Sequence, residues 1–152
     1  MFASAGFNAP IVHRLAGVRL ERLEELHNES DFAAWMGSID HIKATPGFKL
    51  GDWGNEVWPR PMTLEENLAD LADHHREFDE RLCFAYSVMR DEDVIGCVYI
   101  DPDDTGAAEV KVRSWVVTDD ADLDLPLAVA VKRWLLEKWP VISVRSVGRP
   151  DV

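Results

Sequence analysis

Three stretches decide the fold: Val94-Ile-Gly-Cys-Val-Tyr-Ile100, Glu109-Val-Lys-Val-Arg-Ser-Trp-Val-Val117 and Ala128-Val-Ala-Val-Lys-Arg-Trp-Leu-Leu-Glu-Lys-Trp139. The first two are short and rich in β-branched and aromatic residues, so they read as strands. The run Cys83–Arg90 precedes the first of them across Asp91-Glu92-Asp93, which is the pattern of a hairpin. The third is a helix beginning near Leu125, with Pro126 in its first turn, where a missing N–H does no harm. Trp139-Pro140 ends it. Its first half is apolar on all sides, which predicts deep burial. Val141–Val147 then gives a last short strand.

Upstream, residues 11–22 alternate as a strand with a kink at Gly17. Residues 23–43 have imperfect helical spacing and read as one helix, or two broken near Asn28–Ser30. Thr63-Leu-Glu-Glu66 is a capping box. Behind it Leu64, Leu68, Leu71, His75, Phe78 and Leu82 recur at spacings of three and four, the stripe of an amphipathic helix. Residues 44–62, ATPGFKLGDWGNEVWPRPM, hold three Gly and three Pro, so regular structure is not expected. A loop this long is functional or disordered. Its aromatics Phe48, Trp53 and Trp58 argue against disorder. They mark either a lid or partner surface, or a loop folded back over the core.

The chain has 152 residues, 16 Lys+Arg against 28 Asp+Glu, a formal charge of −12 and six Trp. Residues 1–10 read as a loose tail and 11–152 as one domain. The charge speaks against nucleic acid and anionic membranes as partners. No run approaches the ~20 apolar residues of a membrane span. Cys83 and Cys97 fit neither a disulfide framework nor a zinc pattern and read as reduced, buried thiols. The opening MFASAGFNAP lacks the basic and apolar regions of a signal peptide, so the cytoplasm is expected.

The order of elements, with VIGCVYI, EVKVRSWVV and AVAVKRWLLEKW at its centre, resembles the core of the GCN5-related N-acetyltransferase (GNAT) superfamily over about residues 12–147. The resemblance implies an α/β (α+β) fold with a mixed, mainly antiparallel sheet of about five strands and three or four helices. Residues 23–82 correspond to the helices framing the acceptor site. Two features depart from the family. Its Q/R-x-x-G-x-G/A loop, whose amides close on the CoA pyrophosphate at a helix N-terminus, is replaced by Thr118-Asp-Asp-Ala-Asp-Leu-Asp124. That stretch has no Gly or Arg and four carboxylates, which repel a pyrophosphate. The later helix that commonly carries the family's general-acid Tyr has no counterpart in this sequence.

The resemblance implies a set of site residues. The backbone of Trp115, Val116, Val117 and Thr118 would pair with the pantetheine arm of acetyl-CoA or another acyl-CoA. Glu109 would be the general base, and Tyr99 a proton donor to the leaving thiolate, with Tyr86 weighed beside it. Phe48, Trp53 and Trp58 would form the acceptor loop. Adjacent helix positions point about 100° apart, so His74 and His75 cannot share one metal ion, and no metal is expected. Each candidate also has a plain structural reading: a strand end for Glu109, packing for the tyrosines, a capped loop for 119–124. The implied activity is acyl transfer from acyl-CoA to a small-molecule or peptide amine. The alternative is a catalytically inactive protein of the same fold that binds a ligand or protein through loop 44–62. A homodimer completing the sheet edge is a further expectation.

Overall fold

A computed structural model describes residues 6–152. Val12–Leu15 (β1) and Val18–Arg22 (β2) form a hairpin, where one kinked strand was expected. Ala16 and Gly17 both have positive φ, the signature of a tight hairpin turn, so the Gly that read as a kink is a reversal. Asn28–Met36 (α1) and Ile39–Lys43 (α2) follow a 3-10 turn at Glu25–His27, so the 23–43 segment is broken twice. Leu64–Asp79 (α3) starts at the capping box, with Thr63 Oγ1 accepting from Glu66 N and Glu66 from Thr63 N.

Phe84–Arg90 (β3) and Asp93–Pro102 (β4) form the expected hairpin, and Val110–Val116 (β5) pairs antiparallel with β4. A 3-10 turn at Thr118–Leu123 leads into Asp124–Lys138 (α4). Val144–Ser146 (β6) closes the sheet, in parallel with β5. The sheet has six strands in sequential order, one more than expected because the first splits in two.

Alternation along the strands gives the sheet two apolar faces. Tyr86, Val88, Val98, Ile100, Val110 and Val112 meet Leu127, Val131, Trp134 and Leu135 of α4. Ala85, Met89, Cys97 and Trp115 face the other way, against Trp35, Ile42, Phe48 and Leu71. Being covered on both sides, β5 is buried at every position, which explains its near-continuous apolar run. Gly96 is required in β4, because a Cβ there would lie 2.3 Å from the Trp115 carbonyl oxygen.

α4 departs from expectation. Leu127, Ala128, Val131, Trp134 and Leu135 are buried, but Leu125, Val129 and Leu136 on its outer side are exposed. The apolar excess lies on an outer face that stays largely open, with Asp151 and Val152 beside Val129 and Leu136. Of the expected tail, Phe7 packs on Trp139 with ring centroids 5.0 Å apart, and Pro10 O accepts from Tyr86 Oη. Residues 1–5 lie outside the described residues. No helix among the described residues is long and apolar enough to cross a membrane.

Candidate functional site

β5 and β6 pair over three positions, Val110 with Val144 through Val112 with Ser146. Val117 N donates to Ile95 O at 2.9 Å, which fixes the alternation along β5. Odd-numbered residues bond to β4; even-numbered residues turn their N–H and C=O toward β6. The last rung on that side is Val147 N to Val112 O. The chain then turns at Gly148, and β5 continues alone, so among the described residues no backbone group meets the amides of Ser114 and Val116. Gly148 has φ +73°, and a Cβ there would sit 2.6 Å from Gly47 N, so the turn is wedged against the 44–62 loop.

This geometry sorts the expected backbone contacts. The amides of Trp115 and Val117 serve β4, and that of Thr118 donates to Ser38 Oγ at 3.0 Å. Val116 alone of the four has an open amide, and Ser114 joins it. The space on the α4 side of this edge is lined by Ser114, Ser146, Ala128, Val131 and Arg149 and measures about 10 Å³, the size of one water. Arg149 Nη2 reaches both carboxylate oxygens of Asp124 at 2.8 Å and draws the 147–149 turn onto the start of α4. Within the acidic stretch, Asp120 pairs with Arg90 at 2.7 Å, so two of its four carboxylates have arginine partners.

A larger cavity of about 170 Å³ lies on the opposite face of the sheet. Asp31, Asn67, Asp70 and His74 line it from α1 and α3, Tyr99, Asp101 and Arg113 from β4 and β5, and Trp53, Glu56 and Trp58 from the loop. The 44–62 loop is folded back on the core. Trp58 lies 5.5–6.4 Å, ring to ring, from Trp35, Phe48, Tyr99 and Trp115. Trp53 takes Lys111 Nζ at 4.1 Å and the Arg113 guanidinium at 4.3 Å from its ring centre. Cation–π attraction of this kind holds the loop down. All three expected loop aromatics therefore pack inward, and Trp53 and Trp58 also wall the cavity.

A buried network sets one end of the cavity. Asn67 Oδ1 accepts from Trp35 Nε1, and its Nδ2 donates to Asn28 Oδ1 and Asp31 Oδ2, at 2.9–3.0 Å. Burial, with Asp70 nearby, pushes the Asp31 carboxyl up to about 6. Burial raises Asp70 and Asp101 as well. Tyr99 Oη accepts from Trp115 Nε1 at 3.2 Å, and burial holds its phenol well above the usual range, so it stays protonated.

The structure does not bring Glu109 and Tyr99 together. Glu109 lies just before β5, four residues and about 13 Å of extended chain from Arg113, where it accepts from Ile142 N at 2.8 Å and braces the link to β6. Tyr86 lies on the α4 face, away from the cavity. His74 lines the cavity, while His75 bonds Glu25 at 2.8 Å, so the two histidines serve different places. Of the cysteines, Cys97 is buried and Cys83 half-buried, and both thiols are free. Asp31, Glu56, Asp101 and Arg113 were not singled out from sequence. The available signal was the pair Lys111 and Arg113, two cations on one face of an otherwise apolar strand.

No family model matches the chain, and no curated protein sequence does. Solved structures do. The microcin C7 self-immunity acetyltransferase MccE, in complex with acetyl-CoA and AMP, superposes at TM-score 0.56 and 11% identity over 79% of this chain and 61% of that one. The ribosomal-protein-S5-alanine acetyltransferase of Vibrio fischeri gives 0.58 and 13%, over 84% of this chain and 68% of that one. A proposed ribosomal-protein-serine acetyltransferase of Vibrio cholerae gives 0.61 and 11%, over 84% and 67%. The chain thus spans about three fifths to two thirds of the length of these proteins. In strand order, in the parting of β5 from β6 and in these superpositions, the chain has the fold of the GNAT acetyltransferases.

Proposed function

We propose that the protein is an N-acyltransferase that moves an acetyl or other acyl group from acyl-CoA to an amine held in the acidic cavity. The observation that carries this reading is the open edge of β5. Unpaired amides at Ser114 and Val116 offer a strand-like partner to the amide-bearing pantetheine arm. The amine would lose a proton and attack the thioester carbonyl; the C–N bond forms, the C–S bond breaks, and the thiolate leaves. Asp31, raised toward neutrality beside the cavity, suits the proton-accepting role better than Glu109. The protonated Tyr99 phenol would donate a hydrogen bond to the departing sulfur.

The arm does not fit the 10 Å³ space as it stands. The 147–149 turn must move, which breaks Arg149 from Asp124 and frees a cation for the pyrophosphate. The same closure favours a second reading, a protein of this fold that binds a ligand in the cavity without catalysis. Mixing the protein with acetyl-CoA and a panel of primary amines, and following free thiol, separates the two. Amine-dependent thiol release supports the transferase; ligand-induced stabilisation without release supports the binding protein.

A further inference from the structure

We infer that the cavity is built for a basic α-amino acid, its carboxylate on Arg113 and its ammonium groups among Asp31, Asp70 and Asp101; the inference rests on the reading of this cavity as the acceptor site. Arg113 is 7% exposed and its guanidinium lies 4.3 Å from the ring centres of both Phe48 and Trp53. Nη1 donates to Gly47 O and Nη2 to Glu56, but the buried Nε has no partner. A buried donor without an acceptor bears its full desolvation cost, and a ligand carboxylate would relieve it. Glu56 is a replaceable partner, being half-exposed and carried on the 44–62 loop.

The other walls have the opposite character. Among the described residues, neither Asp31, Asp70 nor Asp101 forms an ion pair with Lys or Arg, and Glu77 pairs only with His74. Once Glu56 is set against Arg113, the cavity keeps a surplus of carboxylates, so a ligand with one carboxylate and two ammonium groups balances it better than a simple zwitterion. A volume of about 170 Å³ is below that of drug-sized sites and suits a single amino acid. Asp31 lies near Cys97, whose partner across the sheet is Trp115, so an ammonium held there is level with the open edge of β5.

The probes are L-lysine, pentane-1,5-diamine, which lacks the carboxylate, and L-norleucine, which lacks the side-chain ammonium. Binding is measured by calorimetry without acyl-CoA, so the result is independent of transfer. L-lysine should bind saturably, and each truncated probe about tenfold or more weakly. Glu56→Gln, an exposed change, should tighten L-lysine several-fold and weaken the diamine, whose two cations would share the cavity with an unpaired Arg113, whereas a merely structural Arg113–Glu56 pair would not separate the two probes. Asp70→Asn should weaken L-lysine. The inference is overturned if L-lysine does not bind at millimolar concentration, if it binds no better than the diamine, or if Glu56→Gln shifts both probes alike. Acylation of other amines without L-lysine binding would leave the transferase standing and remove the inference; L-lysine binding without thiol release would do the reverse.

Discussion

The amide of Val147 donates to the carbonyl of Val112 at 2.9 Å, and beyond this rung the two parallel strands part. The place proposed for the acyl donor is made just past that point. Gly148 turns one chain away, and the other runs on through Ser114 to Val116 with one edge unpaired. The same turn carries Arg149 back to Asp124, so the edge is open in its hydrogen bonding and closed in its volume.

If that ion pair is the latch, Asp124→Asn should loosen it. The variant removes one carboxylate from the start of α4 and leaves Arg149 free for phosphate. Acyl-CoA should bind about five- to tenfold more tightly, the effect of roughly 1 kcal/mol for a partly exposed charge. Calorimetric titration of acetyl-CoA checks this, and weaker binding by the variant would show that the pair supports the groove.

Asn67 should be costly to lose. Its amide satisfies the indole N–H of buried Trp35 and accounts for the hydrogen bond to Asp31. Asn67→Ala strands both, for about 2–4 kcal/mol in urea unfolding at neutral pH. A loss below about 0.5 kcal/mol, the range of ordinary surface changes, would mean that the network relaxes around the deletion.

The pH dependence of Asp31 has a definite sign. Its folded-state carboxyl is raised from 3.8 to about 6, chiefly by burial. Below both values the group is protonated in folded and unfolded chains and contributes nothing. Between about pH 4 and 6 the unfolded chain has released its proton and the folded chain has not, so stability falls as pH rises, by roughly 3 kcal/mol in total. The loss persists at neutral pH. Asp31→Asn should flatten this part of the stability curve and gain stability at pH 7 relative to the native chain. Parallel curves for the two proteins between pH 4 and 7 would refute the assignment.

Much of the fold is legible in the chain because local signals are strong. The capping box at Thr63–Glu66, the Asp91–Asp93 reversal and Pro126 each act within a few residues, and each element forms where those signals place it. Gly17 is ambiguous in the sequence, because a kinked strand and a two-residue hairpin both accommodate a glycine there; the positive φ of Ala16 beside it decides for the hairpin. The candidate site is less legible. Its carboxylates come from α1, α3, β4 and the loop, and nothing within one segment marks Asp31 or Asp101 as neighbours. Glu109 stands out only by resemblance, and its carboxylate is taken up by the Ile142 amide, a contact set by where β6 begins.

The two loop tryptophans should separate in their effects. Trp58 touches four other aromatic rings, so Trp58→Ala should cost about 3 kcal/mol or more in chemical denaturation. Trp53→Ala loses mainly its stacking on Lys111 and Arg113, for about 1–2 kcal/mol, while opening the cavity wall. Equal losses from the two changes would show that the loop is held as one unit.

The central claim is that the free edge of β5 receives the acyl donor, and thermal unfolding with and without acetyl-CoA tests it in the native chain and in Val116→Pro. The N–H removed by this change is one that β4 does not use, whereas proline at Val117 would break the bond to Ile95. At a hundredfold excess over Kd, acetyl-CoA should stabilise the native chain by about 2.7 kcal/mol, or roughly 5–10 °C, and the proline variant far less. No shift in the native chain at millimolar acetyl-CoA, or the same shift in both proteins, would contradict the account.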